Sequence, residues 1–111
     1  MAEVEKDYVI ELARFKVRPD QEADFLAKRP AMVAAARRNL PGLRRIELVR
    51  LESGEWMDII VWTDRASADR APDVAGKVPE FSAWLAHVAE DTGMDYGSIH
   101  DSIAISQDQK E

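Results

Sequence analysis

Leu43-Arg44-Arg45-Ile46-Glu47-Leu48-Val49-Arg50-Leu51-Glu52, Ser53-Gly54, Glu55-Trp56-Met57-Asp58-Ile59-Ile60-Val61-Trp62-Thr63-Asp64 is the stretch from which the fold can be read. Two runs rich in β-branched and aromatic residues flank a Ser-Gly pair, which predicts antiparallel strands joined by a tight turn. A two-residue loop sets Leu51 opposite Trp56, Val49 opposite Asp58, Glu47 opposite Ile60 and Arg45 opposite Trp62. One sheet face then carries Ile46, Leu48, Met57, Ile59 and Val61, an ordinary core surface. The other mixes Val49, Leu51, Trp56, Ile60 and Trp62 with Arg45, Glu47 and Asp58.

Upstream, Tyr8 to Val17 reads as a strand that ends at Arg18-Pro19. Pro19 followed by Asp20, Glu22 and Asp24 marks a helix start, because acidic groups suit the positive end of the helix dipole. Phe25, Leu26, Arg29, Met32, Val33, Ala36 and Leu40 recur at helical spacing, with Pro30 inside the run and Pro41-Gly42 beyond its end. Downstream, Arg65 to Ala75 predicts a short helix closed by Gly76. A second helix is expected from Pro79 to Thr92-Gly93, with Phe81, Trp84, Leu85 and Val88 on one side and His87 toward solvent. The last strand is expected over Tyr96 to Ile105, followed by a polar tail from Ser106.

Strand, helix, strand, strand, helix, strand in this order predicts a ferredoxin-like α+β fold. Its four-stranded antiparallel sheet has both helices on one face. The whole chain, residues 1–111, is expected to be one domain with an ordered core over about 8–105. Helices on one side leave the other side of the sheet bare. Placing Trp56, Trp62 and Phe15 there gives an apolar patch larger than a soluble monomer normally shows, so a homodimer packed sheet to sheet is expected. The charged residues on that face favour a partly wet cavity in its wall.

Composition narrows the function. The chain has no cysteine, which removes disulfides, thiolate nucleophiles and zinc ribbons. The net charge of −6 opposes capture by phosphate backbones or anionic lipid, so neither nucleic acid nor membrane is expected as a partner. With 46% apolar and 32% charged residues and no apolar run of membrane-spanning length, a cytoplasmic protein is expected. Two histidines without ligand spacing make a metal site unexpected, and isolated glycines give no phosphate loop.

The framework Ala13-Arg14-Phe15-Lys16-Val17-Arg18-Pro19, Leu40-Pro41-Gly42-Leu43, Asp58-Ile59-Ile60-Val61-Trp62 and Val78-Pro79-Glu80-Phe81 resembles the antibiotic biosynthesis monooxygenase-like family of the dimeric α+β barrel superfamily. The resemblance covers about Tyr8 to Ile105 and implies a homodimeric barrel with a pocket. It also implies an activity among cofactor-independent oxygenases of polyketide phenols or haem-degrading enzymes. The strand-terminal tryptophan of both groups matches Trp62. The first-strand asparagine of the haem-degrading group falls on Ala13, and its haem-ligand histidine falls near Leu85, two positions from His87.

Within that frame, Asp58 is a candidate base, since apolar surroundings disfavour its charged form. The alternative is a structural salt bridge to an arginine. His100 is a candidate proton carrier, and Arg45 a partner for an anionic intermediate. Trp62, Trp56, Phe15, Glu47 and Tyr96 are candidate contacts for a small aromatic ligand, and Glu11 is a lesser candidate carboxylate. Trp62 has a plain packing alternative. The leading expectation is a cofactor-independent monooxygenase acting on an aromatic or polyketide-type substrate. Its competitor is a small-molecule-binding homodimer without turnover.

Overall fold

The computed structural model describes residues 7–106; the polar tail expected beyond Ser106 lies outside them. Strand β1 (Val9–Val17) leads through a 3-10 turn (Pro19–Gln21) into helix α1 (Glu22–Asn39). Strands β2 (Leu43–Arg50) and β3 (Trp56–Trp62) form the hairpin. Helices α2 (Arg65–Ala75) and α3 (Pro79–Leu85) lead to the final strand β4 (Val88–Ser98). The sheet order is β2-β3-β1-β4, with every pairing antiparallel, which is the ferredoxin-like arrangement. Among the described residues no helix is long and apolar enough to cross a membrane.

The hairpin forms where expected but one residue out of register. Gly54 N–H donates to the Leu51 carbonyl at 2.9 Å, and Leu51 N–H donates to the Glu55 carbonyl at 2.8 Å. The loop is therefore three residues long. Gly54 adopts φ +95°, the left-handed conformation that ends such loops and that glycine takes without strain. As a result Leu48 pairs with Asp58 and Arg50 with Trp56, and an irregularity near Arg44 sets Arg45 opposite Val61 rather than Trp62. A one-residue slip exchanges the faces of a strand. Arg45, Glu47 and Val49 thus leave the tryptophan face, and Ile46 and Leu48 join it.

That face is also not the bare one. Phe15, Val17, Phe25, Met32, Trp56 and Trp84 form one buried cluster, and Ala36, Leu40, Trp62 and Ala68 a second. Phe25 stacks on Trp84 with centroids 5.0 Å apart and lies 5.2 Å from Trp56; Phe15 meets both Phe25 and Trp84 edge-on. The largest rings bury the most area, so the helices settle over them. The expectation that Trp56, Trp62 and Phe15 need a second copy as cover is corrected by this: the chain covers them itself. The face away from the helices carries Ile10, Leu12, Met57 and Ile59, all half-buried.

The C-terminal half departs further from expectation. Helix α3 stops at Leu85, and Val88, Thr92 and Gly93 belong to β4 rather than to a helix. Central β1 offers a second row of backbone donors and acceptors, and 88–98 pairs with it along its whole length. Backbone pairing at a sheet edge asks little of the side chains, so the polar run from Ala89 to Asp95 enters β4 against its pattern. Ile103 and Ile105, within the strand expected over Tyr96 to Ile105, lie beyond β4 and are 55% and 72% exposed. His87 is buried instead of solvent-facing, lying between Gln21 (2.6 Å) and Lys28 (2.9 Å).

The turn after α1 locks β2 to α2. Gly42 has φ +88° and its carbonyl accepts from Thr63 N–H at 2.8 Å. A Cβ there would stand 2.6 Å from Ser67 Cβ and 2.8 Å from Thr63 Oγ1. Gly42→Ala is therefore expected to lower unfolding free energy by about 2–3 kcal/mol, combining left-handed strain with a collision against the Ser67 and Thr63 side chains. Urea denaturation checks this, and a loss below about 0.5 kcal/mol contradicts it.

Candidate functional site

A cavity of about 390 Å³ lies between the sheet and the helices. Its floor is built from Glu11 on β1, Asp58, Ile60 and Trp62 on β3, and Met94 and Tyr96 on β4. Strand alternation explains this set. In register Glu11 lies between Ile60 and Tyr96, and Ala13 lies between Asp58 and Met94, so all project from one face. The roof carries Ala36 from α1 and Ala68, Ala71 and Ala75 from α2. Alanines facing a sheet leave the volume that longer side chains would fill. Leu85, Met94 and Tyr96 are 47%, 53% and 37% exposed, so the mouth lies between α3 and β4.

Three carboxylates line this apolar space, and the two that are buried or half-buried, Asp58 and Glu11, differ in their partners. Asp58 is 6% exposed and accepts from both terminal guanidinium nitrogens of Arg29, Nη2 to Oδ1 at 2.5 Å and Nη1 to Oδ2 at 3.1 Å. Arg29 itself lies 4.9 Å from the Trp84 ring centroid. Burial pushes the Asp58 carboxyl above its ordinary value, and Arg29 offsets part of that rise. Glu11 is half-buried and accepts one hydrogen bond, from Trp62 Nε1 at 2.9 Å. Its acidity is weakened mainly by burial and further by Asp58, while the Trp62 hydrogen bond and Arg65 act the other way. A carboxylate retains acceptor capacity after one such bond, so Glu11 is able to take a proton from a ligand.

Tyr96 stands beside Glu11, and the Arg65 guanidinium covers its ring at 3.8 Å. Burial first, and then the Glu11 charge, raise its phenol above the ordinary value, so it remains an O–H donor. Trp84 is 4% exposed, and its Nε1 is buried without a hydrogen-bond partner. Asp91, on β4, completes the acidic part of the lining.

Of the residues singled out from sequence, the structure brings Asp58, Trp62 and Tyr96 to the cavity together. Trp56 and Phe15 pack in the adjoining core, with Arg50 over the Trp56 ring at 4.7 Å. Arg45 and Glu47 lie on the opposite sheet face, 3.9 Å from each other. His100 is exposed beyond the end of β4. Sequence reading undervalued Glu11 and did not name Trp84 or Arg29 for the site. An acidic residue alternating with Val9 and Ala13 on the central strand was the available signal for Glu11.

Leu85 is at the cavity, and His87 is tied to Gln21 and Lys28 outside it. No imidazole lines the cavity, so the residues present do not fit a histidine-ligated haem. Among the described residues no group of three or more His, Cys, Asp or Glu is placed to hold a metal ion.

Comparison with known proteins places residues 8–73 in the family described as antibiotic biosynthesis monooxygenase. Among solved structures, the chain is similar to SnoaB, a cofactor-independent oxygenase from Streptomyces nogalater. The identity is 26%, covering 94% of this chain and 99% of that one, with TM-score 0.61. A candidate antibiotic biosynthesis monooxygenase from Caulobacter crescentus shares 18% identity over 83% of this chain and 89% of its own, TM-score 0.63. A conserved protein from Methanosarcina mazei shares 11% over 84% and 93%, TM-score 0.65. No curated protein matches significantly.

Proposed function

We propose, from the premise that this chain belongs to the antibiotic biosynthesis monooxygenase family, that it is a cofactor-independent monooxygenase of small planar phenols. Glu11 is the base and Trp62 an aromatic wall. The observation that carries this reading is a carboxylate in an apolar cavity, held by an indole N–H and weakened as an acid by burial. A base of raised pKa is suited to removing a proton near neutral pH. The substrate would be a phenol with an activated ring methylene. Proton loss to Glu11 gives an electron-rich anion, which passes electrons to dioxygen and forms a carbon–oxygen bond. The peroxide then loses water to leave a ring carbonyl. One oxygen atom stays in the product and the other leaves as water, so the substrate supplies all the electrons.

SnoaB, described as a cofactor-independent oxygenase and aligned over most of both chains, supports the reaction type. The reading includes a homodimer formed through the sheet face that carries Ile10, Leu12, Met57 and Ile59, and a cytoplasmic setting. Oxygen consumption with anthrone-type phenols tests the activity. Uptake above the protein-free rate, with one labelled oxygen atom recovered in the product, is expected. No uptake with phenols that demonstrably bind would sink it.

Binding without turnover is the second reading. It is favoured by one observation: among the described residues none of the side chains lining the cavity is cationic, so no opposite charge there balances a developing oxyanion. Ligands recovered unchanged under oxygen would support it.

A further inference from the structure

The ionisable groups at the cavity are of one kind. Glu11, Asp58 and Asp91 contribute carboxylates and Tyr96 a phenol, and among the described residues no lysine, arginine or histidine lines the cavity. The nearby cations are committed elsewhere. Arg29 is spent on Asp58, and Arg65 lies on the Tyr96 ring while donating to Asp69 at 2.9 Å. An arriving carboxylate would therefore lose water and meet like charge, both unfavourable in an apolar space. A neutral hydroxyl or an ammonium group would meet an acceptor in Glu11.

We infer that the cavity selects its ligand by charge and polarity. It takes an apolar molecule with a neutral or cationic donor for Glu11, and it rejects carboxylate-bearing analogues. This rests on the cavity being the ligand site, as in the proposed function, and is independent of any turnover.

Isothermal titration with naphthalene probes of matched size separates the two ideas. 2-Naphthol and 2-naphthylmethylamine are expected to bind at least about tenfold more tightly than 2-naphthoate. Asp91→Asn and Glu11→Gln should each narrow that gap, Asp91→Asn through an exposed residue whose change leaves the core intact. Equal or tighter binding of the naphthoate overturns the charge selection while leaving the cavity as a ligand site. Failure of all three probes overturns the ligand-site reading itself.

Discussion

Arg29→Met is expected to cost about 3–5 kcal/mol of stability, because it breaks a buried ion pair by removing one partner. Asp58 is 6% exposed and both of its oxygens are engaged by Arg29. Removing the guanidinium leaves a carboxylate on an apolar cavity floor with its nearest charge partner gone. Two exits remain, protonation or water entry, and each requires work against the native packing. For a domain of this size the loss corresponds to a fall in melting temperature of roughly 15 °C or more. The double variant Arg29→Met/Asp58→Leu should regain most of it, because removing both partners abolishes the desolvation cost along with the attraction. A single-variant loss below about 1 kcal/mol in urea denaturation would show that the pair is not what holds Asp58.

Replacing Glu11 by Gln carries the largest expected effect on activity, a fall in oxygen-uptake rate of about 10²–10⁴-fold. The substitution keeps an oxygen for Trp62 Nε1, so the loss is not expected to arise from unfolding. Its stability signature has the opposite sign. The folded protein holds the Glu11 proton more tightly than the unfolded chain does, because burial raises its pKa. Stability linked to Glu11 is thus fully present below the ordinary carboxyl pKa and is lost as pH rises through the raised folded value. The Gln variant lacks this loss. Relative to the parent it should gain stability between the ordinary carboxyl range and neutrality, and the two should converge at acid pH. Denaturation curves across that range check the sign, and the acid limb of the parent's uptake profile should disappear in the variant. Retained uptake in the variant would remove Glu11 from the role of base.

The elements that sequence reading located well are those in which local pattern and tertiary pairing agree. Val9–Val17 alternates and is central; Glu22–Asn39 carries its stripe through Pro30; Arg65–Ala75 begins at Asp64, whose side chain accepts from Ser67 N–H at 2.8 Å. Strand β4 was not legible because its residues were chosen by the free edge of β1 rather than by their own alternation. The site was legible in part. Trp62, Asp58 and Tyr96 were placed by alternation alone, whereas Arg45 and Glu47 depended on a loop count that was wrong by one residue. The Asp58–Arg29 pair joins two elements, and no spacing along the chain reports it. Glu11 looked secondary because an acid on a strand reads as a solvent-side residue until the roof over it is known.

The hairpin tip has a bearing on how relatives of this protein can diverge. Gly54 has no atoms within 4 Å of where a Cβ would stand, so the tip is free to change its turn type. Closing it at unchanged length as a two-residue Ser53-Gly54 turn would pair Glu52 with Glu55 and rotate β2 by one pleat against β3. Arg45 and Glu47 would then replace Ile46 and Leu48 on the side of Trp62. A change of turn alone, far from the pocket and without a point change in its lining, would bring a cation to the chamber and reverse its preference for ligand charge.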